Sequence, residues 1–374
     1  MFAMGENVLI TGGAGFIGSH VADALLAKGH RVRVLDCLHP QVHGPSQKRP
    51  EYLSRDVELI IGDVRDRAAV EKACRGIDVV YHFAALVGVG QSMYRIEDYT
   101  SVNNVGTSVL MEVLAQRPPR RVIVASSMSI YGEGLYERVD GSIVPGQSRS
   151  LAQLERRDWE LRDARGNVLV PVATHEDKIP ALESVYALSK YDQERMSLII
   201  GRAYGIPTVA LRFFNVYGPR QALSNPYTGV LAIFSSRLLN DKAPMIFEDG
   251  KQRRDFVSVH DVAQACVLAM EREQAVDSAI NVGSGNAYTV SEIAARVADA
   301  VGKRVDPEIT GQYRKGDIRH CVADIALARK TLGYEPRVSL EAGLRELAGW
   351  LEGKSAKDAV LEAKAELSAR GLTL

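Results

Sequence analysis

Short apolar runs rich in β-branched residues alternate with amphipathic stretches along most of the chain. The apolar runs predict strands at residues 8–11, 31–36, 57–63, 78–85, 121–127, 208–215 and 279–284. The amphipathic stretches predict helices near residues 15–28, 66–75, 101–116 and 184–204. Strands that alternate with helices pair in parallel, and the helices cover both faces of the sheet. The pattern therefore predicts an α/β fold built on a doubly wound parallel sheet.

The first predicted strand runs directly into a glycine-rich turn that contains Gly12, Gly15 and Gly18. In this context the first glycine permits a tight turn and the second lets the backbone approach a pyrophosphate. The third lets the helix lie close to the sheet, with its N-terminus facing the phosphates. Asp36 ends the second strand, where a carboxylate suits a ribose 2′-hydroxyl and repels a 2′-phosphate. These residues predict a Rossmann site for NAD rather than NADP.

The turn-forming residues Gly, Pro and Asn interrupt the alternating pattern of strands and helices in the second half of the chain. We predict a Rossmann NAD-binding domain over residues 1–215, completed by residues 256–289. Residues 216–255 and 290–352 are predicted to form a smaller C-terminal substrate-binding lobe. Residues 353–374 are predicted to add a peripheral helix.

A charged, turn-rich segment at about residues 134–180 departs from the regular layout. Loops of this length inside a compact domain are usually functional or disordered. One interpretation is a solvated surface insertion. The other is a lid or recognition flap, because the segment lies between two elements that carry candidate catalytic residues. The sequence leaves both interpretations open.

Tyr186 and Lys190 lie four residues apart in the predicted helix 184–204, so both side chains share one face. A free phenol has a pKa near 10 and is a poor base at neutral pH. A neighbouring ammonium and an oxidised nicotinamide would both favour the phenolate. The pair is therefore a candidate redox base beside the predicted NAD site.

Composition narrows the functional class. The 46 basic and 46 acidic residues balance, so bulk charge gives no reason to expect nucleic acid or an anionic membrane as a partner. No apolar stretch is long enough to span a membrane, and the first strand begins too early to leave room for a signal peptide. The scattered Cys37, Cys74, Cys266 and Cys321 form no metal-site or disulfide pattern. We expect a soluble cytoplasmic protein without a metal site.

Six motifs, in order along the chain, resemble one enzyme family. They are GGAGFIG, Asp36, SSMSIYG, YALSK, RFFNVYGP and RRDFVSVHD. Together they resemble the extended short-chain dehydrogenases/reductases, in the branch of NAD-dependent sugar-nucleotide epimerases and dehydratases. The resemblance covers about residues 7–350. Within the branch, the chain is most similar to bacterial sugar-nucleotide 4-epimerases, a group that includes enzymes acting on dTDP-L-rhamnose.

The resemblance implies roles for individual residues. Ser127, Tyr186 and Lys190 match the family's catalytic residues, with Tyr186 as the base. The positions that match cofactor-binding residues are Gly12, Gly15, Phe16, Ile17, Gly18, Asp36, Asp63, Val64, Ala84, Ala85, Asn103, Tyr186, Lys190 and Phe213. The positions that match substrate-binding residues are Ser127, Asn215, Arg254 and Arg314. Guanidinium groups suit a diphosphate, because they bind phosphate through paired hydrogen bonds.

Met128 and Ser129 bear on the reaction. Dehydratases of this branch place Asp-Glu directly after the catalytic hydroxyl residue, and elimination of water needs that acid and base. Here the two acids are replaced by Met and Ser. Dehydration is therefore disfavoured. The expected reaction is epimerisation at C4 of a nucleotide-diphosphate sugar through a 4-keto intermediate.

The substrate and the assembly stay open at this level. Val87, Val89 and Met93 favour a 6-deoxy sugar over a uronic acid, whose carboxylate would need a cation nearby. The alternatives are epimerisation of UDP-glucose or UDP-glucuronate, a net NAD-dependent sugar-nucleotide oxidoreductase, and a non-enzymatic NAD-sensing protein. The resemblance also implies a homodimer formed through residues 101–116 and 184–204.

Overall fold

Strands and helices alternate along the chain in the computed structural model, which describes residues 5–373. The strands are β1 (Asn7–Thr11), β2 (Arg31–Asp36), β3 (Glu58–Ile61), β4 (Val79–His82), β5 (Arg121–Ser127), β6 (Leu135–Glu137), β7 (Ile143–Pro145), β8 (Val170–Thr174), β9 (Thr208–Phe213), β10 (Asn215–Tyr217), β11 (Met245–Ile246), β12 (Arg253–Arg254), β13 (Phe256–Ser258), β14 (Ala279–Val282), β15 (Tyr288–Thr289), β16 (Glu308–Ile309) and β17 (His320–Ala323).

The α-helices are α1 (Phe16–Ala27), α2 (Pro40–His43), α3 (Arg67–Ala73), α4 (Val89–Ser92), α5 (Ile96–Tyr99), α6 (Gly106–Gln116), α7 (Leu151–Glu155), α8 (Val185–Tyr204), α9 (Val230–Leu239), α10 (Val259–Glu271), α11 (Val290–Ala300), α12 (Ala326–Leu332), α13 (Leu340–Leu351) and α14 (Val360–Ala369). A π-helical turn, Thr100–Val105, joins α5 to α6 without a break. Short 3₁₀ turns follow β5 and α10, at Met128–Tyr131 and Glu273–Ala275.

The central sheet has seven parallel strands in the order β14–β9–β5–β4–β1–β2–β3. Val8 and Ile10 of β1 pack into the core cluster that contains α1 and α10, whereas Leu9 packs into the cluster that contains α3 and α6. Alternate residues of the strand are thus buried on opposite faces of the sheet. This arrangement confirms the predicted doubly wound α/β fold. The strand order reverses between β1 and β4, which is where such sheets bind ligands.

The segment 134–180 is ordered and belongs to a second sheet. Its strands β6, β7 and β8 extend β17, β12 and β15 into a six-stranded sheet of order β15–β12–β17–β8–β6–β7. Tyr136 of β6 packs with Leu161 and Leu169 in a small core of its own. The segment therefore has its own core and pairs with strands from the last third of the chain.

Buried ion pairs attach this segment to the rest of the molecule. Arg319 is fully buried, and its guanidinium contacts Glu248 (2.9 Å), Asp249 (2.6 Å) and Glu160. Arg149 Nη2 donates to Glu248 Oε1 at 2.8 Å. Since Arg149 and Glu160 belong to the segment and the other three residues do not, the ion pairs hold it in place. They favour a fixed structural insertion over a mobile lid.

The predicted peripheral helix at 353–374 is α14, and it packs against the rest of the molecule more closely than expected. Leu367 is buried, and Glu366 Oε2 accepts a hydrogen bond from the Tyr94 hydroxyl at 3.1 Å. That hydroxyl also lies 2.6 Å from the hydroxyl of Tyr227, and Lys315 N donates to Leu372 O at 2.9 Å. The last predicted residue, 374, lies outside the described part.

Within residues 5–373, none of the helices combines the length and the apolar character that crossing a membrane requires.

Candidate active site

A cleft with a cavity volume of about 430 Å³ opens at the carboxyl ends of the central strands. It is lined by fifteen of the residues singled out in the sequence: Gly12, Gly15, Phe16, Ile17, Gly18, Asp36, Asp63, Val64, Ala84, Ala85, Ser127, Tyr186, Lys190, Phe213 and Asn215. Asn103, Arg254 and Arg314 are not among the residues that line it. The volume falls in the usual range for small-molecule sites.

The glycine turn forms one wall of the cleft, and Gly12 and Gly18 are among its positions that have no room for a side chain. Gly12 has φ +69°, and a Cβ there would lie 2.8 Å from Ala84 N. A Cβ on Gly18 would lie 2.6 Å from Gly13 Cα, inside the contact distance of real side chains. Gly15 stands at the N-cap of α1, where free backbone N–H groups face outward. The turn therefore has the close backbone and the donors that a pyrophosphate requires.

Asp36 lies beside this turn in a fixed orientation. Its Oδ2 accepts from Ala14 N at 3.0 Å and its Oδ1 accepts from Leu38 N at 2.9 Å. Each carboxylate oxygen has a second lone pair, so the group can still accept from a ribose hydroxyl. Further along the cleft, a hydrogen bond from Arg65 lowers the pKa of Asp63. The donor turn and the adjacent carboxylate fit NAD.

Ser127 and Tyr186 meet at the opposite end of the cleft. Ser127 ends β5, and its side chain is near enough to Tyr186 to lower the pKa of the phenol. The Ser129 hydroxyl donates to Ser127 Oγ at 2.9 Å. Tyr186 stands in the first turn of α8, where Ser184 caps the helix by accepting from Ala187 N at 3.1 Å. A helix start and a strand end thus bring the two hydroxyls together.

Burial controls the protonation of Tyr186 and Lys190. Burial raises the pKa of Tyr186, and the nearby polar side chain of Ser127 opposes that rise. Burial also lowers the pKa of Lys190 to about 7, against the effect of the Glu194 carboxylate. This differs from the expectation that Lys190 would lower the phenol pKa in the protein itself. An oxidised nicotinamide in the cleft would add positive charge that favours the phenolate.

A buried polar network behind Lys190 was missed in the sequence. Lys190 Nζ donates to Gln193 Oε1 at 2.7 Å, and Gln193 Nε2 donates to Thr107 Oγ1 at 2.9 Å. Thr107 and Thr11 each lie 2.8 Å from a ring nitrogen of His82. Burial, followed by the charge of Lys190, holds the pKa of His82 at about 3, so the imidazole is neutral. The i, i+3 spacing of Lys190 and Gln193 was the available signal.

Asn103 lies one layer behind the cleft. It is fully buried in the π-helical turn, where its Oδ1 accepts from Leu86 N at 2.8 Å. Its Nδ2 donates to Leu86 O at 3.1 Å and to Ser189 Oγ at 2.9 Å. Asn103 therefore fixes the loop after β4, which includes the cleft residues Ala84 and Ala85, against α8. Contact between Asn103 and the cofactor stays a prediction.

The two predicted phosphate-binding arginines bond within the protein. Arg254 Nη1 donates to the carbonyls of Arg253 (2.9 Å) and Arg319 (2.8 Å). Arg314 pairs with Asp317 at 2.9 Å and stacks over the Phe247 ring at 4.7 Å. Asn215 does line the cleft, and its Nδ2 donates to Asp255 O at 2.8 Å. A role for either arginine in binding a diphosphate remains a prediction.

Residues 8–150 and 168–283 match the sequence model of the NAD dependent epimerase/dehydratase family. The chain belongs to this family. The gap between the two matched ranges, residues 151–167, lies inside the insertion described above. The family, the class of enzyme and the cofactor NAD that the sequence predicted are thereby confirmed.

Several relatives match nearly the whole chain. It is 37% identical to the dTDP-L-rhamnose 4-epimerase of Burkholderia thailandensis, over 93% of this chain and 95% of the relative. It is 29% identical to a putative UDP-glucose 4-epimerase of Methanocaldococcus jannaschii, over 93% of this chain and 99% of the relative. Both relatives are nucleotide-sugar 4-epimerases by name.

The fold of the chain is similar to solved structures of sugar-nucleotide 4-epimerases. The UDP-glucose 4-epimerase of Thermotoga maritima with UDP-glucose has a TM-score of 0.75 and 31% identity, and the match covers 92% of this chain and 98% of that one. The UDP-glucuronic acid 4-epimerase of Bacillus cereus with UDP-glucuronic acid and NAD has a TM-score of 0.75 and 27% identity, covering 92% and 99%.

Proposed function

We propose that the protein is an NAD-dependent 4-epimerase of a nucleotide-diphosphate sugar, with dTDP-L-rhamnose converted to dTDP-6-deoxy-L-talose as the reaction. One observation carries the reaction type: Ser127 and Tyr186 line the same cleft as the glycine turn and Asp36. The relative from Burkholderia thailandensis supports the choice of sugar. Cytoplasmic location is part of the proposal, and the four free cysteines are in keeping with a reducing compartment.

Each residue of the site has a defined task in this reaction. Tyr186 as phenolate takes the proton from the sugar O4, and the Ser127 hydroxyl stabilises the charge that develops there. Bound NAD supplies the hydride acceptor at C4 and later the hydride donor. Asn215 would hold the diphosphate while the 4-keto sugar turns its other face to the cofactor. Tyr186 then returns the proton to O4.

The residues after Ser127 support epimerisation over dehydration. Met128 is buried and apolar, and the Ser129 hydroxyl is occupied by its bond to Ser127. Neither side chain can act as the acid or base that elimination of water needs. The reaction should therefore stop at reversible oxidation of one carbon.

We also propose a homodimer through α6 and α8, which pack against each other. Val105, Leu188 and Ile199 are about half exposed at this side of the molecule, at 47%, 52% and 51%. Large apolar side chains grouped on an exposed surface usually mark an interface. A second copy of the chain would bury them.

The substrate is tested by incubating the protein separately with C4-deuterated dTDP-L-rhamnose, UDP-glucose and UDP-glucuronate, and following each by NMR. We expect conversion of dTDP-L-rhamnose to its C4 epimer with the deuterium retained, since the hydride returns to the same carbon. Turnover of UDP-glucuronate alone would overturn the assigned sugar. Loss of deuterium to solvent would overturn the mechanism, and net accumulation of NADH would favour an oxidoreductase.

A further inference from the structure

The segment that follows Asp36 forms part of the rim of the cleft. Residues 39–46, which we call the rim flap, lie between Leu38 (φ +51°) and Gln47 (φ +47°). Residues other than glycine rarely adopt this left-handed conformation, and they keep it only where the surroundings impose it. Leu38 is fully buried, so it anchors the start of the flap in the core. Three flap residues line the cleft: His39, Val42 and His43.

One side chain of the flap bonds to two other segments of the rim. Gln41 Nε2 donates to Asn225 Oδ1 at 2.9 Å and to Gln91 Oε1 at 3.2 Å. Gln91 Nε2 returns a longer bond to Gln41 Oε1 at 3.4 Å. Asn225 lies in the loop before α9 and itself lines the cleft, and Gln91 lies in α4. The amide of Gln41 therefore joins three segments that are distant in sequence.

The partners of Gln41 are held by their own surroundings. Asn225 Oδ1 also accepts from Tyr227 N at 3.0 Å, and the Tyr99 hydroxyl donates to Gln91 Oε1 at 3.3 Å. Asn225 and Gln91 are buried, whereas Gln41 is partly exposed. Bonds to shielded, pre-positioned groups are stronger than bonds to groups in water. If these bonds broke, the flap would be free to move, because Gln91 and Asn225 would still be held by their other hydrogen bonds.

The flap lies over the adenosine end of the predicted cofactor site. It begins three residues after Asp36, the candidate ribose ligand at the end of β2, whereas Ser127 ends β5, three strands away in the sheet. A dinucleotide lying between the glycine turn and Asp36 would have the flap across its adenosine half. A substrate sugar at Tyr186 would lie away from it.

We propose that Gln41, Gln91 and Asn225 form a clasp that retains NAD in the cleft through successive turnovers. The inference rests on the proposed function, because an epimerase regenerates NAD in each cycle and gains nothing from releasing it. An oxidoreductase that exchanges NADH for NAD would have to open the same contacts at every turnover. Gln41 is accordingly a positioning residue for the cofactor and takes no part in proton or hydride transfer.

The test is the substitution Gln41→Met, which keeps the length of the side chain and removes its hydrogen bonds. The purified protein, with the NAD it carries, is mixed with excess isotopically labelled NAD, and exchange is followed by mass spectrometry. Loss of two or three neutral hydrogen bonds should raise the exchange rate roughly ten-fold. The turnover number at saturating NAD should stay within about two-fold of the wild type. Gln274→Met, at an exposed position in the 3₁₀ turn after α10, is the matched control and should exchange NAD as the wild type does.

A second pair of variants tests whether the contact itself is responsible. If Gln41 acts through Asn225, the double variant Gln41→Met/Asn225→Ala should exchange NAD no faster than the faster of the two single variants. Rates that multiply would show two independent effects and overturn the clasp.

The outcomes separate the two proposals. Wild-type protein that neither carries NAD nor takes it up would overturn the proposed function. Wild-type protein that retains NAD, with unchanged exchange in Gln41→Met, would overturn the clasp alone. A loss of turnover by orders of magnitude in Gln41→Met at saturating NAD would also overturn it, because Gln41 would then act in the chemistry.

Discussion

Tyr186 and Lys190 show how the protein interior changes the chemistry of two ordinary side chains. Burial favours the neutral form of each, so the phenol holds its proton more tightly and the amine holds its proton less tightly. The spacing of the pair along the helix was readable in the sequence. The direction of the pKa shifts was not, because burial depends on the packing of the whole site.

The substitution Tyr186→Phe tests the base directly. Loss of a general base typically lowers turnover by about 10²–10⁴-fold, and we expect a loss in this range with NAD binding and folding preserved. Steady-state kinetics together with the NAD content of the purified variant measure both effects. Tyr191→Phe, on the same helix but outside the cleft, is the control. Near-normal turnover in Tyr186→Phe would remove the phenol from the mechanism.

Lys190→Met should abolish most activity while making the NAD-free protein more stable. The pKa of Lys190 falls from 10.5 to about 7 on folding, so between these pH values the unfolded chain binds a proton that the folded chain lacks. The stability penalty therefore grows as the pH falls from about 10.5 to about 7 and is constant below. We expect Lys190→Met to gain about 2–4 kcal/mol at pH 6 and little at pH 10, measured by urea unfolding. A gain that does not shrink toward pH 10 would contradict this.

At the scale of elements, the sequence predicted the helices and turns whose ends are set by neighbouring residues. Ser184 and Gly205 cap the two ends of α8, and Gly15 and Gly29 bound α1, so the positions of both helices could be predicted closely. The predicted strand 208–215 instead ends at Phe213, because Asn215–Tyr217 pairs with Phe256–Ser258 in a separate two-stranded sheet. Such pairing joins residues distant in the sequence, and no local pattern records it. The same holds for the strands of the insertion.

The ion pairs of the insertion predict a large effect of Arg319→Met. Removing this buried guanidinium leaves Glu248, Asp249 and Glu160 without their shared partner, and a broken buried pair typically costs about 3–5 kcal/mol. Urea unfolding of the variant measures the loss. Arg329→Met is the control, because its pair with Glu335 is exposed and should contribute less than about 1 kcal/mol. Equal losses in both variants would show that the buried ion pairs do not stabilise the insertion.

At the scale of the whole molecule, the candidate site is assembled from distant parts of one chain. Ser127, Tyr186 and the glycine turn could be predicted because their motifs are local in sequence. Gln41 and Gln193 could not, since their roles depend on which segments the fold brings beside them. Arg254 and Arg314 were taken from the resemblance, and the structure bonds both within the protein, so their role in binding a diphosphate stays a prediction.

The proposed homodimer belongs to this scale as well. Ile199→Glu would place a charge on the exposed apolar side of α8, where a partner subunit would have to bury it. We expect the variant to be monomeric in light scattering, while the wild type is dimeric. Val139→Glu, at a position 81% exposed in the insertion, is the control and should remain a dimer. A wild-type monomer would overturn the proposed assembly.

The end of the chain also has a practical meaning for anyone who engineers this protein. Arg314 forms an isolated antiparallel β-bridge with Thr373, and Lys315 N donates to Leu372 O. The last described residues therefore lie against the loop of Arg314, which is expected to face the nucleotide. A purification tag or fluorescent reporter fused at this terminus would emerge beside that loop. Its influence on sugar-nucleotide affinity should be checked before kinetic constants from such a fusion are ascribed to the native enzyme.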